Sequence, residues 1–184
     1  RIYILIALSS FILLLLLSYI LLYEPKYNGL IKNWEKTLII AHRGFGNYAP
    51  DNSLAAVKIA LSNNLDGVDV DGQLSSDKEL VIFHDLSVDR LTGSVGHIYE
   101  KNLEEVLKLD LAPKYGRGFK GAYVATFESF VRAVVGKGIL MVELKVPGRK
   151  PTGIEERALE IIKKYDAFES VFLSSFNPVV LYRL

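Results

Sequence analysis

Apolar residues run without a charge or a proline from 2 to 23, IYILIALSSFILLLLLSYILLY, and the pattern then changes character. About 20 such residues cross a bilayer as a helix, so residues 1–23 are expected to form one transmembrane anchor. The rival is a cleaved signal peptide, which has a shorter apolar core of about 7 to 15 residues and a small-residue cleavage site. LLYEPKY offers no such site. Residues 24–36, EPKYNGLIKNWEK, are polar and broken by Pro25 and Gly29, as suits a juxtamembrane linker with Trp34 at the interface.

From residue 37 to 184 short apolar runs alternate with amphipathic ones. TLIIAH, GVDVDGQL, ELVIFHD, ILMVELKV and SVFLSSF read as strands. NSLAAVKIALSNN, TFESFVRAVVGKG, GIEERALEIIKKYDA and NPVVLYRL read as helices. A loop, DLSVDRLTGSVGHIYE, leads to a short helix at NLEEVLKL, where Asn102 and Glu105 have capping-box spacing, as do Thr152 and Glu155 further on. Strands alternating with helices imply parallel pairing with right-handed crossovers, hence an α/β class.

Charge narrows the function classes. Setting aside Arg1 and the uncharged stretch leaves, of the chain's 22 basic residues, as many as its 21 acidic ones. A neutral surface disfavours nucleic acid as a partner. No cysteine is present, which excludes disulfides, zinc–thiolate sites and thiol catalysis. Arg1 before the apolar stretch and Glu24 behind it favour a cytoplasmic N-terminus, with the following domain on the extracytoplasmic side of a single-pass membrane protein.

Candidate chemistry collects at strand ends. Residues two apart in a strand share a face, so Asp69, Asp71 and Gln73 oppose Val68 and Val70, and Met141, Glu143 and Lys145 oppose Leu140, Val142 and Leu144. His42 and His84 close two further strands. Each signal has an ordinary structural explanation: a strand-end histidine satisfied in place, or a salt bridge between Glu143 and Lys145. Together they place ionisable groups where a parallel α/β fold gathers its ligand-binding residues. Three like charges at Asp69, Asp71 and Glu143 call for compensation by protons or a cation, and oxygen donors suit a hard divalent ion such as Mg²⁺ or Ca²⁺. Histidines that move protons near neutral pH and an arginine that grips phosphate make a phosphate-ester site chemically sensible.

The order HRG at 42–44, PDNS at 50–53, DVD at 69–71, FHD at 83–85, ELK at 143–145 and SSF at 174–176 resembles the glycerophosphodiester phosphodiesterase family. The resemblance implies a TIM-type (β/α)8 barrel that hydrolyses glycerophosphodiesters to glycerol 3-phosphate and an alcohol with a divalent cation, Mg²⁺ or Ca²⁺. By position, His42 and His84 match the family's catalytic acid and base, and Arg43 and Lys145 its phosphate contacts. Asp69, Asp71 and Glu143 match its metal ligands. Asp51 stands behind them, either supporting the site or capping the next helix.

Two features depart from the family. Glutamate is usual where this chain has Asp51 and Asp69. About five of eight βα units are readable, whereas a complete barrel takes about 250 residues, so residues 37–184 are expected to be the N-terminal part of a barrel domain. Two rival functions stand beside the hydrolase: a lysophospholipase D-like activity on membrane lysophospholipids, and an inactive membrane-tethered protein that binds a phosphodiester without turning it over.

Overall fold

The computed structural model describes residues 2–22, 37–148 and 152–184. The chain divides into two compact units, Arg1–Glu35 and Lys36–Leu184.

The first unit carries α1 (Ile2–Leu22), one helix of 21 residues. Leucine-rich sequence without glycine or proline favours this state, and Ser18 returns its hydroxyl to the Leu15 carbonyl at 2.9 Å. Among the described residues no helix is long and apolar enough to cross a membrane. The expected transmembrane span thus rests on composition and not on the structure. The expected linker, residues 24–36 with Trp34, lies outside the described residues.

The second unit is built on β2 (Gly67–Leu74). On one side it pairs in parallel with β5 (Ile139–Leu144), which pairs in parallel with β6 (Val171–Ser174). Its other side is shared by two partners. β1 (Ile40–Ala41) runs parallel to its first residues, and β3 (Leu80–Ile82) runs antiparallel to its last, with β4 (Ala125–Thr126) antiparallel beyond it.

This corrects the strand count. Among the described residues the sheet has six strands, not five, and the strand in ELVIFHD runs against the other five. The reason is length. Only residues 75–79 separate β2 from β3, with Ser75 and Glu79 closing the turn at 2.9 Å, whereas a parallel return needs a crossover of about a dozen residues.

Helices α2 (Leu54–Ser62), α5 (Phe127–Val134) and α6 (Ile154–Lys164) follow β1, the β2–β4 unit and β5, and α7 (Pro178–Arg183) follows β6. Their apolar faces bury Val57, Phe130, Val131, Ile154 and Ile161 against Val68, Val70, Leu140 and Val142. A second core lies under residues 83–124, where Phe83, Leu91, Ile98, Val106 and Leu111 pack on Val81, with short helices α3 (Asp89–Thr92) and α4 (Leu103–Val106). The two faces of β3 therefore serve different cores: Leu80 and Ile82 face the first and Val81 the second.

Caps follow the sequence in one case and not in another. Asn102 and Glu105 form the expected capping box on α4. At α6 the cap is Gly153, because the Glu155 side chain turns inward to pair with Arg183 of α7 and is only 1% exposed. Thr152 is left without a cap role.

Candidate active site

β1 is only two residues long, and His42 lies not on it but in a one-turn 3-10 segment, His42–Gly44. The turn runs through left-handed backbone at Arg43 (φ 52°), Gly44 (φ 77°) and Phe45 (φ 105°). A non-glycine residue there costs about 1 kcal/mol or more, and Asn52 N–H donating to the Arg43 carbonyl at 2.9 Å helps to hold it. Gly46 is required by close approach, since a Cβ at that position would collide with the Asp51 carboxylate.

His84 arrives from the opposite direction. β3 ends at Ile82, Phe83 N–H donates to the Asp71 carbonyl at 2.8 Å, and the chain then leaves the sheet. Gln73 fixes this exit by donating to the Phe83 and Asp85 carbonyls, both at 2.8 Å. Both histidines thus emerge at the same edge of β2, where its parallel partner stops and its antiparallel one begins.

Each histidine is paired with an aspartate through Nδ1, His42 with Asp69 at 2.8 Å and His84 with Asp85 at 2.6 Å. Arg43 donates to Nε2 of His84 at 2.8 Å. A guanidinium can only donate, so Nε2 of His84 is an acceptor and its proton sits on Nδ1, facing Asp85. The same aspartate arrangement on His42 directs that ring's Nε2 away from Asp69, and its side chain is 75% exposed.

Asp51 is not the cap of α2. Ser53 takes that place, accepting from Ala56 N–H at 3.1 Å. Asp51 instead accepts from Arg43 at 3.2 Å and from the Tyr115 hydroxyl at 2.7 Å. Burial, followed by that hydrogen bond, pushes the Tyr115 hydroxyl above its ordinary pKa.

The carboxylates of β2 and β5 are divided between two partners. Asp71 and Glu143 sit opposite each other on neighbouring strands. Lys145 lies between them, 3.0 Å from Asp71 and 3.6 Å from Glu143. Asn52 clamps Asp71 twice: its side-chain amide donates to the Asp71 carboxylate at 2.9 Å, and its side-chain oxygen accepts from the Asp71 N–H at 3.0 Å. Burial raises the Glu143 carboxyl above its ordinary pKa; Lys145 opposes the shift and the adjacent Asp71 adds to it. Asp69, two residues before Asp71 on the same face, is engaged with His42. Among the described residues no group of three or more His, Asp or Glu side chains is arranged to hold a metal ion. The donor set nonetheless suits a hard cation, because every candidate donor is a carboxylate oxygen and the Asp71–Glu143 pair already requires positive charge.

A cleft of about 1010 Å³ opens beside these groups, lined by His84, Asp85, Glu143 and Lys145 at its polar end. Leu86, Phe176 and Val179 form its apolar wall. Ser175 of the SSF segment ties the end of β6 to β5 by donating to the Leu144 carbonyl at 2.7 Å.

Five further residues take part at the site: Asn52, Gln73, Asp85, Tyr115 and Arg90, which donates to both oxygens of Asp85. Asn52 and Asp85 lie inside PDNS and FHD and were open to notice there. Arg90 and Tyr115 belong to the segment between β3 and β4, and no local pattern marks them.

The chain is similar in sequence and in fold to known proteins. Residues 42–184 match the glycerophosphoryl diester phosphodiesterase family. A glycerophosphodiester phosphodiesterase of Caldanaerobacter subterraneus subsp. tengcongensis is 40% identical over 143 residues, covering 77% of this chain and 59% of that protein. Human glycerophosphodiester phosphodiesterase 1 is 28% identical over 184 residues, covering 96% of this chain and 54% of that one. Among solved structures, an Oleispira antarctica phosphodiesterase in complex with the product sn-glycerol-3-phosphate superposes with a TM-score of 0.71 at 31% identity, over 79% of this chain and 60% of that one. The Agrobacterium tumefaciens glycerophosphodiester phosphodiesterase gives 0.71 at 26% identity over the same shares. The chain thus spans little more than half the length of these relatives, and its α/β fold is TIM-barrel-like over that part. On the family match and the Caldanaerobacter relative together, the chain belongs to the glycerophosphoryl diester phosphodiesterase family.

Proposed function

We propose that the protein hydrolyses glycerophosphodiesters to glycerol 3-phosphate and an alcohol, with His42 and His84 as the general acid–base pair. The observation that carries this reading is the pair of like-oriented dyads, His42–Asp69 and His84–Asp85, the second in contact with Arg43. An aspartate on Nδ1 fixes the tautomer and leaves Nε2 as the nitrogen that exchanges protons.

In the proposed reaction one histidine takes the proton of the substrate's own glycerol hydroxyl as that oxygen attacks phosphorus. The other gives a proton to the leaving alcohol oxygen. Water then opens the cyclic phosphodiester with the histidine roles exchanged. Arg43 and Lys145 balance the charge on the phosphoryl oxygens, two hydrogen bonds from the guanidinium being suited to this. Arg43 now occupies Nε2 of His84, so its transfer to phosphate would release that nitrogen for chemistry.

Asp71 and Glu143, with the remaining oxygen of Asp69, would hold Mg²⁺ or Ca²⁺. When bound, the ion would add positive charge beside the phosphoryl oxygens.

Leu86 and Phe176, 51% and 93% exposed, give the cleft an apolar wall that favours a second reading, a lysophospholipase D-like substrate with an acyl chain. Anchoring by α1, with the catalytic unit on the extracytoplasmic face, is the corresponding reading of the N-terminal segment; membrane fractionation with external protease tests it. The substrate test is to assay the full-length protein on glycerophosphocholine, glycerophosphoethanolamine, glycerophosphoglycerol and lysophosphatidylcholine. Release of glycerol 3-phosphate from the first three supports the main reading. Turnover of lysophosphatidylcholine alone supports the second, and no turnover of any of the four contradicts both.

A further inference from the structure

The dyad at His84 does not end at Asp85. Arg90, in α3, donates to both oxygens of Asp85, from Nε at 2.5 Å and from Nη2 at 3.1 Å, and the same Nη2 lies 3.7 Å from Asp51. Asp51 accepts from Arg43 at 3.2 Å, and Arg43 returns to His84 at 2.8 Å. The five side chains form a closed ring in which each carboxylate lies between two cationic or donor groups. Tyr115 holds the ring from the other side through Asp51.

We infer that Arg90 is a positioning residue for the reaction. By holding Asp85 at two points it keeps that carboxylate on Nδ1–H of His84 and so acts together with Arg43 at Nε2 to fix the tautomer, and through Asp51 it sets Arg43 between its resting partner and the phosphate. This inference rests on the hydrolase reading above and deepens it.

Geometry supports a role beyond surface charge. A planar guanidinium can address both oxygens of one carboxylate and still reach a second, which an ammonium cannot do in the same way. The hydrogen bonds also outweigh solvation: burial alone would raise the Asp85 carboxyl, yet hydrogen bonds from Arg90 and His84, with the charge of Arg90, hold it below its ordinary pKa. Arg90 itself is 41% exposed on its side chain, so its removal should leave both hydrophobic cores intact.

The test uses the full-length protein with ¹⁵N-labelled histidine and the variants R90A, R90K, D85N and R90A/D85N. NMR of His84 should show a proton on Nδ1 in the wild type and a tautomer mixture in R90A. On a glycerophosphodiester, kcat of R90A should fall about 10- to 100-fold with KM changed less than about threefold, since what is lost is orientation and not substrate contact. R90K should recover part of the loss. R90A/D85N should be no slower than the slower of R90A and D85N, because both act through one link. An unchanged tautomer in R90A, or a kcat within about twofold of wild type, overturns the inference. If the wild type turns over no glycerophosphodiester the hydrolase reading fails, and the NMR comparison alone still decides what Arg90 does to His84.

Discussion

Arg43 and His84, 41 residues apart in the chain, meet guanidinium to imidazole at 2.8 Å. They do so because β1 and β3 reach the same edge of β2 from opposite ends. The group proposed to bind phosphate and one of the groups proposed to transfer protons are therefore in direct contact. Arg43→Ala should raise KM and lower kcat together, unlike Arg43→Lys, which keeps the charge and loses the two-point grip. Steady-state kinetics of both variants check this.

Cation removal is tested at the Asp71–Glu143 pair. Excess chelator should abolish turnover and Mg²⁺ or Ca²⁺ should restore it. Asp71→Asn and Glu143→Gln should each raise the cation concentration for half-maximal rate by about tenfold or more. Full turnover in chelator would leave Lys145 as the sole counter-charge.

Asp69 is asked to serve two partners. With one oxygen on His42 and the other available to a cation, Asp69→Asn should lower kcat and also raise the cation requirement. A lowered kcat with an unchanged requirement, measured by titrating activity with Mg²⁺, would confine Asp69 to orienting His42.

Acid stability reads out the Asp85–Arg90 link independently of activity. The folded-state pKa of Asp85 is held below its ordinary value, so the folded protein binds this proton less readily than the unfolded chain. Its contribution is present above the ordinary carboxylate pKa of about 4 and is lost as pH falls through the lower folded value. Arg90→Ala should raise the folded pKa of Asp85 towards its ordinary value and remove part of this contribution, seen as a smaller drop in melting temperature between about pH 5 and pH 3 than in the wild type.

The exposed side of β6 makes a prediction about the second unit alone. Among the described residues β6 pairs only with β5, and Phe176 beside it is 93% exposed. Unpaired edges and apolar patches favour association. A fragment of residues 37–184 should self-associate and lack turnover; a monodisperse fragment with a cooperative melt and normal rate would contradict this.

How much of this was legible in the chain differs from residue to residue. Strand periodicity and motif order both point to His42, Asp71, Glu143 and Lys145, and motif order alone to Arg43; the structure gathers them at one end of the sheet. The direction of β3 was also legible, since residues 75–79 are too few for a crossover, but the alternation of strands and helices masked it. Thr152–Glu155 had the spacing of a cap and did not form one, because spacing carries no information about Arg183. Arg90 and Tyr115 were out of reach for the same reason: their roles arise from tertiary folding of the segment 83–124 over Val81, and no local pattern records it.

Two histidines, each held by an aspartate at Nδ1, are proposed to pass protons in phosphodiester hydrolysis, and everything else in the mechanism depends on them. ³¹P NMR of glycerophosphocholine incubated with full-length wild type, His42→Ala and His84→Ala tests this most directly. A glycerol 3-phosphate signal should grow with the wild type and about 10²- to 10⁴-fold more slowly with each variant. Near-normal rates in both variants would contradict the proton-transfer roles of His42 and His84.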